Sequence, residues 1–450
     1  MPGEITLRPF FSNNTEMSGK KILIIAHFYD PCNVIASHRP KSCALALKEA
    51  GYEPVVLTRH WKGTENNWSE FLGEDTSPVK EQLRDGVRVI SAPYRSTFLY
   101  KLTTWRVFAK SRIVRICAEW IGSVFGQIEI DRDVVSNYYQ TADELLKKET
   151  FSLILVTCNP NSGVKLAAKL SRRNKVPWVA DFRDLWDIDV QLKDQSQVAM
   201  VTKIRFFFVH KFMVKWLRSA KHLLVCNETY IPYLNGLLPQ LPVTLVKNGF
   251  EKKLFNAHPA STVSTDTFTV LCLGTLHLQQ DLQTFANGFA LFIKEHPAAR
   301  IRLKFLGAKV NPLVGAKIEA LFPTEYLVVT EFVERKDAVQ ELQQAQVVYY
   351  PVWPAYWGIY PGKIFEYLGA KKTILLAPND HGILEKTLTE TNAGVIADTP
   401  SDCARQLSLW YAEWEQTGTL NYQGNNAVIE TYTREHQAAI FVELIKQLTH

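Results

Sequence analysis

Short β-branched runs recur along this chain with helical patterns between them, and that alternation limits the fold more than any other feature. KKILIIAHF (20–28) is the first, and its unbroken apolar character suits a strand buried on both faces. EPVVLT (53–58), VRVISA (87–92), SLILVT (152–157), PWVAD (177–181) and HLLVC (222–226) repeat it. Helical patterns such as RPKSCALALKEAG (39–51), closed by its glycine, lie between several of them. A second series follows: TFTVLCLG (267–274), ARIRLKFLG (299–307), EYLVVTEF (325–332), AQVVYYPV (345–352), KTILLA (372–377) and AGVIA (393–397). Strand–helix alternation with short loops predicts open, doubly wound α/β sheets.

Two such series in 450 residues predict two Rossmann-like, parallel-sheet domains. The expected division is a flexible tail over 1–18, an N-terminal domain over 19–250 and a second over 267–425. EKKLFNAHPASTVSTD supplies a Ser/Thr/Pro-rich linker over 251–266. The remainder, 426–450, reads as a helix that packs back on the N-terminal domain. Ligands of such sheets bind beyond the carboxyl ends of the strands, so a site in a cleft between two facing sheets is expected.

Composition excludes other classes. Apolar residues are 46% and charged residues 21%, which is globular and unlike a disordered chain. No apolar run approaches the ~20 residues of a membrane span. MPGEITLRPFFSNN has no basic flank before an apolar stretch, so a cytoplasmic setting is expected. Seven scattered cysteines without a C-x-x-C pair fit a reducing compartment better than a disulfide framework or a structural zinc site. Charge is uneven: residues 1–250 hold 34 Lys and Arg against 24 Asp and Glu, whereas 251–450 hold 17 against 21. The basic half is expected to meet a polyanion.

Several signatures are missing. There is no G-x-G-x-x-G after the first strand, no P-loop, no H-E-x-x-H and no G-x-S-x-G. Dehydrogenase, ATPase, zinc protease and serine hydrolase readings lose support accordingly. The strongest positive feature is YPGKIFEYLGAKKTILLA (360–377). A turn through Pro361-Gly362 opens a helix at about Lys363 that runs to Gly369 and leads into a strand. Free N–H groups of Gly362 and Ile364 at a helix start, with a lysine, can cradle a diphosphate. Glu366, one turn in, can accept hydrogen bonds from ribose hydroxyls. An ordinary strand–loop–helix crossover would look much the same.

This segment resembles the donor-site segment of the family-4 glycosyltransferases, which have the GT-B fold and carry a Glu-x7-Glu motif there. HFYDPCNVIASHRP (27–40) resembles the family's first-strand loop, and VPWVADFRDLWD (176–187) its acceptor-facing strand and loop. LVKNGFEKKLF (245–255) resembles the Asn-Gly stretch that ends its N-terminal domain. The four matches come in the family's order and span about residues 20–445. The departures are specific. The family's second glutamate maps to Glu366 but its first to Gly358, and the histidine before the acceptor-loop aspartate maps to Arg183, preceding Asp184. Asn33-Val34-Ile35-Ala36 stands where many members have paired glycines. GTLHLQQD (274–281) offers His277 and two glutamines, Gln279 and Gln280, in place of the family's Arg and Lys.

The resemblance implies a retaining, hexosyltransferase-type enzyme of a subgroup with an Asp-Phe-Arg-Asp loop. Its donor would be a nucleotide sugar, which is a substrate, so no cofactor and no metal are expected. Lys363, Arg183 and Asp184 are the catalytic candidates, and Glu366, Gly362, Ile364, Thr275, His277 and Gly358 the donor side. His27, Asn33, Arg39 and Asp181 are the acceptor side, expected to take a saccharide or lipid-linked acceptor in surface polysaccharide or glycolipid assembly. For Asp181, Arg183 and Asp184 a local Arg–carboxylate brace is the plain alternative, and for His27 a buried, hydrogen-bonded histidine. Asp187-Ile188-Asp189 resembles a metal motif, but so short a pattern arises by chance. A non-catalytic GT-B-like nucleotide- or partner-binding subunit is the alternative function, favoured by Gly358.

Two stretches concentrate the positive charge, YKLTTWRVFAKSRIVRICAEWIGSVFG (100–126) and KIRFFFVHKFMVKWLRSAKH (203–222). Phe, Met and Trp between Lys and Arg suit adsorption on an anionic membrane surface. A solvated helix face is the plain alternative. No nucleic-acid motif accompanies either stretch, so no nucleic-acid partner is expected.

Overall fold

The computed structural model describes residues 19–32, 34–65, 68–105, 111–186, 192, 194, 196, 198–256, 266–331, 333–356 and 358–450. The chain forms two compact units, one of residues 1–187, 198–246 and 438–450, the other of 188–197 and 247–437.

The first unit holds an eight-stranded sheet. Its strands are β1 (Lys21–Ile25), β2 (Glu53–Arg59), β3 (Lys80–Arg84), β4 (Val87–Ala92), β5 (Leu153–Cys158), β6 (Trp178–Phe182), β7 (His222–Val225) and β8 (Val243–Leu245). They lie in the order β3-β4-β2-β1-β5-β6-β7-β8. All neighbours run parallel except β3, which is antiparallel to β4. The topological switch point therefore falls between β1 and β5. Ile22, Leu23, Ile24, Leu153, Ile154 and Leu155 are all fully buried, which is why these strands read as unbroken apolar runs. β3 has no such run. It forms because Asp85 and Gly86 both take positive φ (50° and 72°), the geometry of a two-residue hairpin turn.

The helix Arg434–Thr449 contributes its last turns to this unit. Phe441, Leu444 and Ile445 join Ile22, Ile24 and Val56 in one core. Burying each such side chain stabilises by roughly 1.5–3 kcal/mol. Lys20 Nζ also donates to the Thr449 carbonyl at 3.0 Å.

The second unit holds a six-stranded parallel sheet. Its strands are β9 (Phe268–Leu273), β10 (Ile301–Leu306), β11 (Leu327–Val329), β12 (Val347–Pro351), β13 (Thr373–Ala377) and β14 (Gly394–Ile396). Their order is β11-β10-β9-β12-β13-β14, with the switch point between β9 and β12. β9 shows the strand period of two: Val270 and Cys272 enter one core, Leu271 and Leu273 the other. Helices cover both faces.

The tail 1–18, the Asp187-Ile188-Asp189 triplet and most of the linker, 257–265, lie outside the described residues. Six of the seven cysteines are buried and Cys117 is exposed; all seven are free thiols. Among the described residues no helix is long and apolar enough to cross a membrane.

Candidate functional site

The second unit gathers most of its sequence-predicted residues at the carboxyl ends of β9, β10 and β12. Gly274 follows β9 with φ +83° and Gly307 follows β10 with φ +87°. A Cβ on Gly307 would lie 3.3 Å from the Gly274 Cα, so these two backbones come closer than side chains comfortably allow. Lys363 reaches the same spot from the helix Gly362–Gly369, and its Nζ donates to the Thr275 carbonyl at 3.2 Å. The ammonium also lies 5.7 Å from the centre of the Tyr350 ring. Burial lowers the Lys363 pKa, against the opposing pull of Cys272 and Glu366.

Two helix N-termini in this unit differ in what closes them. The helix Ile383–Thr391 is sealed by its own acid: Asp380 accepts from the amides of Gly382 (3.1 Å), Leu384 (3.0 Å) and Glu385 (2.9 Å). The helix Gly362–Gly369 has Pro361 at its N-cap and no side-chain cap. A Cβ on Gly362 would meet nothing within 4 Å, so the space before this helix is open. Its positive end, with Lys363 alongside, can receive an anion. Ile364 is fully buried and can offer only backbone. Gly358 is buried ahead of the turn, and the helix is pinned by Tyr367, whose hydroxyl accepts from the Leu273 amide at 2.9 Å.

Glu366 is half-buried and accepts no hydrogen bond from another described residue. Burial raises its pKa, opposed by the charges of Arg335, Arg434 and Lys363. Arg434 donates from Nε to the Gly249 carbonyl at 2.9 Å and pairs through Nη1 with Glu251. The Asn-Gly stretch is thereby held beside the same carboxylate. Neither Arg335 nor Arg434 lies in a recognisable motif, and only the fold brings them to Glu366.

His277 is exposed, and its ring stacks on Trp353 at 4.6 Å with 20° between the planes. Its amide donates to Gln280 Oε1 (2.9 Å), and Gln280 Nε2 donates to the Pro351 carbonyl (2.7 Å). The loop after β9 is thus tied to the end of β12. Burial, and then the Lys363 charge, lower the His277 pKa. The Trp353 indole N–H is buried without an acceptor among the described residues. Trp353 went unmarked in the sequence, although TrpPro after an apolar run is a visible signal.

The first unit treats its candidates differently. Asp181 is 0% exposed and Arg39 nearly as buried, and they face each other. Arg39 Nε donates to both Asp181 oxygens at 2.9 Å, and Nη2 to Oδ1 at 2.6 Å. Arg39 Nη1 also donates to the Val246 carbonyl at 2.7 Å. Burial works against the Arg39 charge, but Asp181 more than offsets it and raises the pKa. An Arg–carboxylate brace, the plain alternative for the Asp-Phe-Arg-Asp loop, is made by Asp181 with Arg39 and not with Arg183. Arg183 is half-buried and Asp184 exposed, and neither side chain forms an ion pair or hydrogen bond among the described residues. The Arg183 carbonyl accepts from Cys226 Sγ at 3.0 Å, which fixes the loop and leaves both charges available.

His27 is 2% exposed, with Nδ1 2.9 Å from the Tyr138 hydroxyl and Nε2 buried without a hydrogen-bond partner among the described residues. Burial, with Arg59 and Arg132 adding repulsion, drives its pKa well down and keeps the ring neutral. Arg59 lies over the rings of Trp61 (4.4 Å) and Tyr94 (4.1 Å). Asn33 lies outside the described residues.

No family model matches the sequence, and neither does any curated protein. Solved structures do match. A sucrose-phosphate synthase from Thermosynechococcus elongatus superposes with a TM-score of 0.60 at 14% identity, covering 95% of this chain and 99% of that one. HepE of Anabaena in complex with UDP-glucose gives 0.58 at 11%, covering 95% and 99%. An α,α-trehalose-phosphate synthase (UDP-forming) from Burkholderia xenovorans in complex with glucose-6-phosphate gives 0.57 at 11%, covering 96% and 100%. At such identities the likeness is one of fold: this chain has the GT-B architecture of two parallel-sheet α/β units.

Proposed function

We propose that the chain is a glycosyltransferase that moves a sugar from a nucleotide-sugar donor, held by the second unit, to an acceptor presented by the first. The observation that carries this is the uncapped start of the helix Gly362–Gly369, with Lys363 over Thr275 and an unbonded Glu366 one turn on. Lys363 and the first helical amides would stabilise the diphosphate as it leaves, an electrostatic contribution worth several kcal/mol in comparable sites. Glu366 would bind the ribose hydroxyls. Arg183 and Asp184, without an ion pair or hydrogen bond among the described residues, would meet the acceptor or the transferred sugar. The bound donors and sugars of HepE and the trehalose-phosphate synthase make uridine diphosphate the first nucleotide to test.

The anomeric configuration would be retained, and no cofactor would be needed. The acceptor is a saccharide or a lipid-linked saccharide, used in surface polysaccharide or glycolipid assembly on the inner face of the cell membrane. A second reading, a nucleotide-binding subunit without transfer activity, is favoured by Gly358 in place of an acid. Incubation with UDP-glucose and related donors separates the two. Slow release of UDP supports the transferase, whereas tight binding with no release on any donor would favour the subunit.

A further inference from the structure

The helix Arg112–Val124 in the first unit is built inside out. It buries Ala118, Gly122 and Ser123, all small, while Ile113, Ile116, Ile121 and Val124 are exposed. These follow one helical stripe, so the apolar stripe is the outer face, the reverse of an ordinary surface helix. Ile113 is 74% exposed, and Phe125, just past the helix, 77%. Polar bonds fix the inner face. Arg205 donates from Nε to Ser123 Oγ at 3.1 Å and pairs through Nη1 with Glu119 Oε2 at 3.0 Å. Turning the isoleucines inward would break both.

Arg205 belongs to the adjoining helix Met200–Leu217, which buries Val209, Met213 and Leu217. Its outer stripe opens with Met200, Ile204 and Phe207, the last 64% exposed. It continues with exposed Lys211, Lys215 and Arg218. None of these three cations, nor exposed Arg112, is in an ion pair among the described residues. The helix carries no acid. Phe212 and Trp216, counted as membrane candidates from the sequence, instead stack on each other at 5.5 Å, with Phe212 against Gly126 and Trp216 beneath Lys165. Phe98, 78% exposed, opens a third helix, Phe98–Thr104, in which nothing is buried.

We infer that this face docks on an anionic lipid bilayer, with Ile113, Ile121, Phe125 and Phe207 entering the interface and Lys211, Lys215 and Arg218 meeting headgroups. An apolar stripe that passes into unpaired cations matches the depth profile of such a surface. A nucleic acid would match the cations but leave the isoleucines in water. A second copy of the same face would bring like charges together. The inference rests on these side chains and not on the donor site.

The test is co-sedimentation with vesicles of phosphatidylglycerol and phosphatidylcholine, against phosphatidylcholine alone. The wild-type protein should pellet with the anionic vesicles and be released as salt rises from about 50 to about 500 mM. Ile113→Ser with Phe207→Ser, both at exposed sites, should melt as wild type yet partition about tenfold less. Replacing Lys211, Lys215 and Arg218 with glutamine should remove the preference for anionic lipid. Binding of UDP, measured on the same samples, should be the same in all three proteins, so failure of the donor site is read separately. The inference is overturned if wild type stays in the supernatant at low salt, or if the serine variant pellets equally well. It is also overturned if wild type forms a lipid-free dimer that the serine variant dissolves.

Discussion

Arg39 and Asp181, far apart in sequence, form a two-pronged ion pair in the buried interior of the first unit, with Nε 2.9 Å from both carboxylate oxygens and Nη2 2.6 Å from Oδ1. The same guanidinium holds the Val246 carbonyl at 2.7 Å. One side chain thereby ties the first helix, Ile35–Glu49, to β6 and to the chain just past β8. The pair braces these elements against one another.

Removing one partner should therefore damage stability more than binding. Arg39→Leu leaves an uncompensated buried carboxylate and should cost ~3–5 kcal/mol. Replacing both, Arg39→Met with Asp181→Leu, should recover a large part of that loss. Urea unfolding followed by fluorescence reads both. Equal stability of Arg39→Leu and wild type would show that the pair contributes nothing.

Glu366→Ala should weaken binding of a nucleoside diphosphate by about 1–3 kcal/mol, the range for hydrogen bonds to a charged acceptor. The side chain is half-buried and has no hydrogen bond to lose among the described residues, so the melting temperature should hardly change. Calorimetric titration with UDP is the direct measurement. An unchanged affinity for every nucleotide tried would remove Glu366 from the site.

Most long strands of both sheets were legible as apolar runs because parallel strands are buried on both faces, while β10, IRLKFL, showed instead as an alternation with Arg302 and Lys304 on its half-buried side. The misses have physical causes. β3, KEQLR, is an edge strand with one solvated face, and only its Asp85-Gly86 turn announces it. EYLVVTEF, expected as a strand over 325–332, is a strand among its described residues only at Leu327–Val329, since β11 is an edge with half-buried residues. Arg335 and Arg434 beside Glu366 were invisible, because contacts so distant in sequence depend on the assembled fold. The helix Arg112–Val124 was legible only in part. Its basic residues marked it as a surface helix, but an apolar stripe by itself is also what a core face looks like, and nothing local tells that the small face goes inward.

Lys363 should give the donor reaction its alkaline limb. Its charged form is the one that binds a diphosphate, and burial lowers its pKa. Activity should then fall as pH rises, at a pH below the ordinary lysine range. Burial raises the Glu366 pKa, so the acid limb should lie above the ordinary carboxylate range. Lys363→Met should lower kcat/KM by roughly 10²–10³-fold, as for loss of one group that stabilises developing charge. In Lys363→Arg the alkaline limb should vanish, because a guanidinium stays charged. A wild-type alkaline limb that persists in Lys363→Arg would assign it to another group.

His27 should make the first unit sensitive to mild acid. In the folded chain its pKa lies well below the usual value because the ring is buried, with Arg59 and Arg132 nearby. The unfolded chain should titrate normally, near 6.5. Above that pH neither state binds the proton and His27 adds no pH dependence. Below it the unfolded state takes up a proton that the folded state refuses, so stability falls by about 1.4 kcal/mol for each further pH unit until the folded pKa is reached. His27→Gln keeps a hydrogen-bonding group near Tyr138 but cannot titrate. Whatever the variant costs at pH 7.5, its deficit should shrink as pH drops through 6 to 5.5, because only wild type loses this contribution. Urea unfolding of both proteins at several pH values measures the gap, and the remaining histidines cancel in the comparison. Parallel pH profiles would mean that folded His27 accepts a proton as readily as the unfolded chain, contrary to its buried, cation-flanked setting.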